Sequence, residues 1–184
     1  MPEYLWVTEK TFVVDEFFTL AECAAAIERA EIAGFRDAPI NTRSGPEIRK
    51  DVRNNTRVMI DDLAFAADLY ARIGDYVPKH LTGWTLSGVN ERFRYYRYDV
   101  GQQFDWHYDG AFERPSGERS QLTFMIYLND EFLGRQTTIE DITIVPKAGR
   151  ALFFVHAQLH KGQPVYKGRK YVLRTDVMYQ LAKH

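Results

Sequence analysis

His107 and Asp109 stand one residue apart in the run Tyr98-Asp-Val-Gly-Gln-Gln-Phe-Asp-Trp-His-Tyr-Asp109, and His156 and His160 follow downstream. Residues i and i+2 of an extended strand project to one face, so an imidazole and a carboxylate at this spacing can grip one cation from one side. A second imidazole from a distant strand completes a two-histidine, one-carboxylate facial triad, the donor set of non-haem Fe(II) sites. Such a triad leaves the opposite coordination positions open for substrate and dioxygen. His160 is the favoured third ligand, because the segment from Lys161 to Lys170 can turn and return, bringing a basic residue back beside the metal strand. His156, in Phe153-Phe-Val-His-Ala, competes for the same role, whereas His80 and the terminal His184 read as surface residues. Lys170 offers a point charge for the remote end of a dicarboxylate cosubstrate, and hydroxyls such as those of Tyr98 or Thr137 can add hydrogen bonds.

Strands must position these groups, and the chain supplies them mainly in its second half. Phe93, Tyr95 and Arg97 alternate with Arg94, Tyr96 and Tyr98, and Leu122, Phe124, Ile126 and Leu128 alternate with Thr123, Met125 and Tyr127. Further β segments are expected at 138–145, 151–155 and 171–179. On the last of these Lys170, Val172, Arg174, Asp176 and Met178 share a face, which is either solvent or the wall of a polar pocket. The first half reads as a short strand at 11–14, then a helix opened by a Thr19/Glu22 capping box, running to about residue 32 and stopped by Gly34. A second helix is expected over about 61–76. Between them residues 41–57 form a polar segment with a surplus of three positive charges; it reads first as a solvated loop, and second as a lid that touches substrate. Helices followed by many short strands predict a mainly β fold, a jelly roll buttressed by N-terminal α-helices, with helical support over 1–88 and the catalytic core over 89–180.

At 184 residues and 45% apolar content, the chain suits one domain over 1–184. A net charge of −1 supplies no global field for polyanions and argues against nucleic acid as a partner. The single cysteine, Cys23, excludes an intrachain disulfide and sits in an alanine-rich helical pattern as a small buried hydrophobe. No apolar run approaches the ~18 residues of a membrane span, and the N-terminus lacks the features of a signal peptide, so a cytoplasmic location without membrane partners is expected. Oligomeric state is not readable from these features.

The ordered motifs Arg97-Tyr-x-x-Gly-Gln-x-Phe-x-x-His-x-Asp109, Tyr127-Leu-Asn, Phe154, His160-x-Gly-x-Pro-Val-x-x-Gly-x-Lys-Tyr171 and Arg174-Thr-Asp-Val-Met-Tyr179 resemble the prolyl 4-hydroxylase-like Fe(II)/2-oxoglutarate-dependent dioxygenases. The resemblance covers residues 90–179 and implies a double-stranded β-helix with iron held by His107, Asp109 and His160. It also implies that Lys170 pairs with the 5-carboxylate of 2-oxoglutarate and that the Tyr98 hydroxyl reaches the cosubstrate. Thr137 matches the threonine of a Gly-Gly-x-Thr segment, which here reads Gly134-Arg135-Gln136-Thr137, with a bulky arginine replacing the second glycine. Arg135, Arg174 and Trp106 are candidate substrate contacts, Trp106 together with Tyr108. The implied cofactors are Fe(II), 2-oxoglutarate and O2, with ascorbate as an accessory reductant. The implied reaction hydroxylates an unactivated C–H and releases succinate and CO2. A prolyl residue of a peptide or protein is the leading substrate. The alternatives are a small-molecule hydroxylase, an oxidative nucleic-acid dealkylase and a non-catalytic metal-binding jelly roll. Residues 41–57 and 110–120 flank the metal motif as candidate mobile covers.

Overall fold

The computed structural model describes residues 4–42, 44–134 and 136–182. The long strand Lys170–Leu181 is the organising element, because both of its faces are covered. It lies in a ten-stranded antiparallel sheet, flanked by Arg119–Tyr127 on one side and by Arg92–Tyr98 and Trp84–Val89 on the other. Beyond Arg119–Tyr127 come Ala151–Val155, Thr11–Val14 and Tyr4–Thr8; beyond Arg92–Tyr98 come Thr56–Asp61 and Arg36–Asp37. A second sheet is built from Phe104–His107, His160–Gly162, Thr137–Ile139 and Ile142–Ile144. The two sheets enclose an apolar layer that includes Tyr98, Tyr127, Leu152, Phe154 and Val172. This is the predicted jelly roll.

The opposite face of the large sheet is buttressed by two helices, as predicted, and each carries its own start signal. Helix α1, Leu20–Ala33, has Thr19 as N-cap with both halves of the capping box present, and Gly34 ends it at φ 82°. It buries Cys23, Ala26 and Ala30, small residues at i, i+3 and i+7 that let the helix approach the sheet closely. Burial pushes the Cys23 thiol up to about 11, consistent with a packing role. Helix α2, Leu63–Ile73, is capped by Asp62 and buries Ala66, Leu69 and Ile73. Beneath the helices Phe12, Phe153 and Phe124 are cross-strand partners, with ring centroids 4.8 and 4.4 Å apart.

Several expectations are corrected. Helix α2 is shorter than the predicted 61–76 because Asp61 belongs to the Thr56–Asp61 strand, and Asp62 caps the helix instead. The expected strand over 138–145 is a hairpin that turns at Glu140, φ 53°. The first 88 residues also contribute strands to the large sheet, including Tyr4–Thr8, Thr56–Asp61 and Trp84–Val89.

One close backbone approach joins helix and sheet. Phe18 N–H donates to the Gly149 carbonyl at 3.0 Å, and Gly149, at φ +80°, has room for no Cβ, which would lie 2.1 Å from the Phe18 carbonyl oxygen. Gly149→Ala is therefore expected to lower the unfolding free energy by about 2–4 kcal/mol, combining left-handed strain with a backbone clash. Urea denaturation measures it; a loss below about 0.5 kcal/mol, the size of a neutral surface change, would show that the two segments separate freely.

Candidate active site

The register of the large sheet places polar residues on the face that meets the smaller sheet. Lys170 pairs with Tyr98; Val172 pairs with Tyr96, which pairs with Arg57; Arg174 pairs with Arg94; Asp176 pairs with Thr123. The face left open by parity is thus the interior: Lys170, Arg174 and Asp176 are 3%, 9% and 1% exposed. Buried charges need partners. Arg174 Nη2 lies 3.0 Å from Asp176 Oδ1 and 3.2 Å from Asp109 Oδ2, while Arg94 Nη1 lies 3.2 Å from the other Asp176 oxygen.

His107 ends the Phe104–His107 strand, and its register partner is His160, the first residue of His160–Gly162. Cross-strand pairing sets their rings 4.1 Å apart. Asp109 lies two residues past the strand end, rather than on the strand as the i, i+2 reading assumed. Its carboxylate nevertheless returns to the histidines, with Oδ1 3.9 Å from His107 Nε2 and Oδ2 3.5 Å from His160 Nε2. One donor atom from each of the three residues lies within 4.8 Å of the others.

Both imidazoles are oriented through their second nitrogen. His107 Nδ1–H donates to the Asp105 carbonyl at 2.7 Å and His160 Nδ1–H to the Gln158 carbonyl at 2.9 Å, which turns each Nε2 lone pair toward Asp109. Phe104 stacks on His107 at 3.5 Å. Burial, reinforced by His160, pushes His107 down to about 3, and burial also lowers His160. Burial alone would raise Asp109, but Arg174 and the two histidines hold it well below the usual carboxylate range. The resting donor set is therefore two neutral imidazoles and a carboxylate, the protonation state a metal requires. By ligand type, count and orientation these residues fit Fe(II).

His156 is not in the cluster. Its ring nitrogens bridge Thr123 Oγ1 (2.9 Å) and Ser120 Oγ (2.8 Å), and the Thr123 hydroxyl donates to Asp109 Oδ2 at 2.7 Å. It supports the carboxylate ligand through Thr123. Sequence reasoning missed Thr123; only its register opposite Asp176 exposes it.

His107 and Asp109 line two cavities, and His160 lines the inner of the two. The inner one is lined by Tyr98, Thr137 and Lys170 together with the triad, and by Gly162 and Val172, so the residues selected from the sequence for metal and cosubstrate converge. Lys170 Nζ lies 5.5 Å from the ring centroids of Tyr98 and Tyr127, and the Tyr127 hydroxyl donates to Thr137 Oγ1 at 2.7 Å. Burial raises the Tyr98 and Tyr127 phenols, so both stay neutral donors. The outer cavity, about 530 Å³, is lined by Arg53, Arg57, Arg94 and Arg174, with Tyr108 and Phe112 also in its wall. Residues 41–57 are accordingly divided: Arg49 and Lys50 pair with Asp51 and Asp37 at the surface, whereas Arg53 and Arg57 turn inward. Trp106 is 41% exposed, and Lys161 Nζ lies 4.6 Å from its ring centroid; it lines neither cavity. Arg135, the other candidate substrate contact, lies outside the described residues, as do Arg43 and His184.

Comparison with known proteins agrees with this geometry. The family model for the 2OG-Fe(II) oxygenase superfamily matches residues 93–175. A probable prolyl 4-hydroxylase 9 of Arabidopsis thaliana is 25% identical over 85% of this chain and 64% of its own length. The chain thus spans just under two thirds of the curated relatives it matches. Among solved structures, a viral collagen prolyl hydroxylase from Paramecium Bursaria Chlorella virus-1, in its 2OG complex, superposes with a TM-score of 0.63 at 20% identity, covering 94% of this chain and 97% of that one. A Trichoplax adhaerens prolyl hydroxylase, in complex with a hypoxia inducible factor oxygen degradation domain peptide fragment, gives 0.66 at 15% identity over 92% and 84%. Motif order, sheet topology and the converging triad agree with these matches: residues 93–175 are similar to the 2OG-Fe(II) oxygenase superfamily, and the chain as a whole is similar to the prolyl 4-hydroxylases.

Proposed function

We propose that this protein is an Fe(II)- and 2-oxoglutarate-dependent hydroxylase acting on a prolyl ring. The observation that carries the reading is the two-histidine, one-carboxylate cluster sharing a cavity with buried Lys170. The names of its relatives support the prolyl part. Bound Fe(II) would supply dioxygen activation, coupling oxidative decarboxylation of 2-oxoglutarate to insertion of one oxygen into a C–H bond, with succinate and CO2 as the other products.

The chain's own residues bind, orient and exclude water. His107, Asp109 and His160 would hold the metal on one side only. Lys170, in the lining of the inner cavity, would neutralise the remote carboxylate of the cosubstrate, with the neutral Tyr98 hydroxyl as a donor. The Tyr127–Thr137 bond and the aromatic lining keep that cavity dry, which strengthens the ion pair and protects reactive species from water. Asp109 is kept ionised by Arg174 and oriented by Thr123.

The test is incubation of the Fe(II)-loaded protein with 2-oxoglutarate, O2 and prolyl compounds, free and peptidyl, reading succinate and the mass gain of one oxygen together. The expected outcome is equimolar succinate and hydroxyproline. Succinate with no prolyl oxidation would remove the prolyl assignment while leaving the hydroxylase chemistry.

A further inference from the structure

The outer cavity has an excess of fixed positive charge. Among the described residues its lining holds four arginines and a single acidic group, Asp109. Register creates the cluster: Arg57 lies beside Tyr96 on one row of the sheet, and Arg94 beside Arg174 on the next. Arg94 and Arg174 share Asp176, and Arg174 also reaches Asp109. Arg53 and Arg57 have no carboxylate partner among the described residues. Arg53 is 4% exposed and held between the rings of Tyr96 and Phe104, at 4.7 and 4.3 Å. Its Nε donates to Asn55 Oδ1 at 2.7 Å, but its Nη2 is buried with no hydrogen-bond partner, and so is Nε of Arg174. A guanidinium is a planar fork of donors matched to a carboxylate, and leaving its N–H groups buried and unpaired is unfavourable. Metal binding would remove still more of the negative charge that Asp109 offers Arg174.

We propose that the outer cavity binds the substrate through a carboxylate held by Arg53 and Arg57 beside Arg174. The carbon oxidised then lies close to a carboxylate, in a free amino or imino acid or a carboxy-terminal residue, not within an uncharged internal stretch of peptide. The proposal rests on the hydroxylase reading and narrows its substrate. A cavity of about 530 Å³ suits a small molecule or one terminal residue.

Calorimetric titration tests it in protein loaded with Mn(II) and saturated with N-oxalylglycine, which fills the Lys170 end and so removes that site from the readout. The probes are L-proline, N-acetyl-L-proline and benzoate, each beside its amide. At least one acid is expected to bind about ten-fold or more tightly than its amide. Arg57→Gln should remove that preference and Arg57→Lys restore part of it, both leaving N-oxalylglycine affinity unchanged. L-Proline binding more tightly than N-acetyl-L-proline would assign a free imino acid, and the reverse a carboxy terminus. Benzoate binding that depends on Arg57, with both prolyl acids inert, would keep the carboxylate site and overturn only the prolyl reading. Failure of N-oxalylglycine to bind the wild-type protein would tell against the hydroxylase reading instead. Equal binding of every acid and its amide, no binding of any acid, or tighter binding of a prolyl peptide capped at both ends would overturn the carboxylate site.

Discussion

His160→Ala is expected to lower Fe(II) affinity by more than about a hundred-fold and to abolish turnover, whereas His156→Ala retains iron with affinity reduced on the order of ten-fold. The difference follows from position. His160 Nε2 faces Asp109 and is aimed by the Gln158 carbonyl, so its loss removes a donor of the cluster itself. His156 acts at one remove, through Thr123 on Asp109, and outer partners of metal ligands typically change affinity by about 10- to 100-fold. Iron content after anaerobic gel filtration, with circular dichroism to verify the fold, separates the two. Iron lost from His156→Ala and kept by His160→Ala would exchange their roles.

The pair also shows what was legible in the sequence. The fold class was readable because 92–98 and 119–127 are rich in β-branched and aromatic residues at strand spacing, and helix α1 because a capping box and Gly34 bracket it. His107 and Asp109 stood out by spacing, although Asp109 lies past the strand end and is held by Thr123 rather than by strand parity. Spacing alone could not separate His156 from His160, since that choice depends on register: His160 is paired with His107, while His156 packs against Ser120 and Thr123. Likewise the charged face of the last strand could be solvent or interior until the smaller sheet covered it. The Thr56–Asp61 strand was obscured because it lies near a sheet edge with charged and polar residues along it. Arg57 was therefore grouped with a surface loop although it faces the cavity.

Lys170→Met is expected to raise the dissociation constant for 2-oxoglutarate by about ten- to a hundred-fold, the range set by losing a buried charge-assisted hydrogen bond. Fe(II) binding should be unchanged, because Lys170 lines the inner cavity and is not among the donors of the metal cluster. Methionine preserves most of the buried volume, so the variant is expected to fold. Binding of N-oxalylglycine followed by calorimetry, alongside iron content, measures both halves. Loss of iron in this variant would mean that Lys170 supports the metal site and not the cosubstrate.

The most direct test of the central claim is anaerobic titration of the Fe(II)-loaded protein with 2-oxoglutarate, following the weak visible charge-transfer absorption of the chelate. The expected result is a saturable band that is absent from His160→Ala and shifted to higher 2-oxoglutarate concentration in Lys170→Met. Iron demonstrably bound with no band at any 2-oxoglutarate concentration would contradict the account and leave a metal-binding jelly roll without this chemistry.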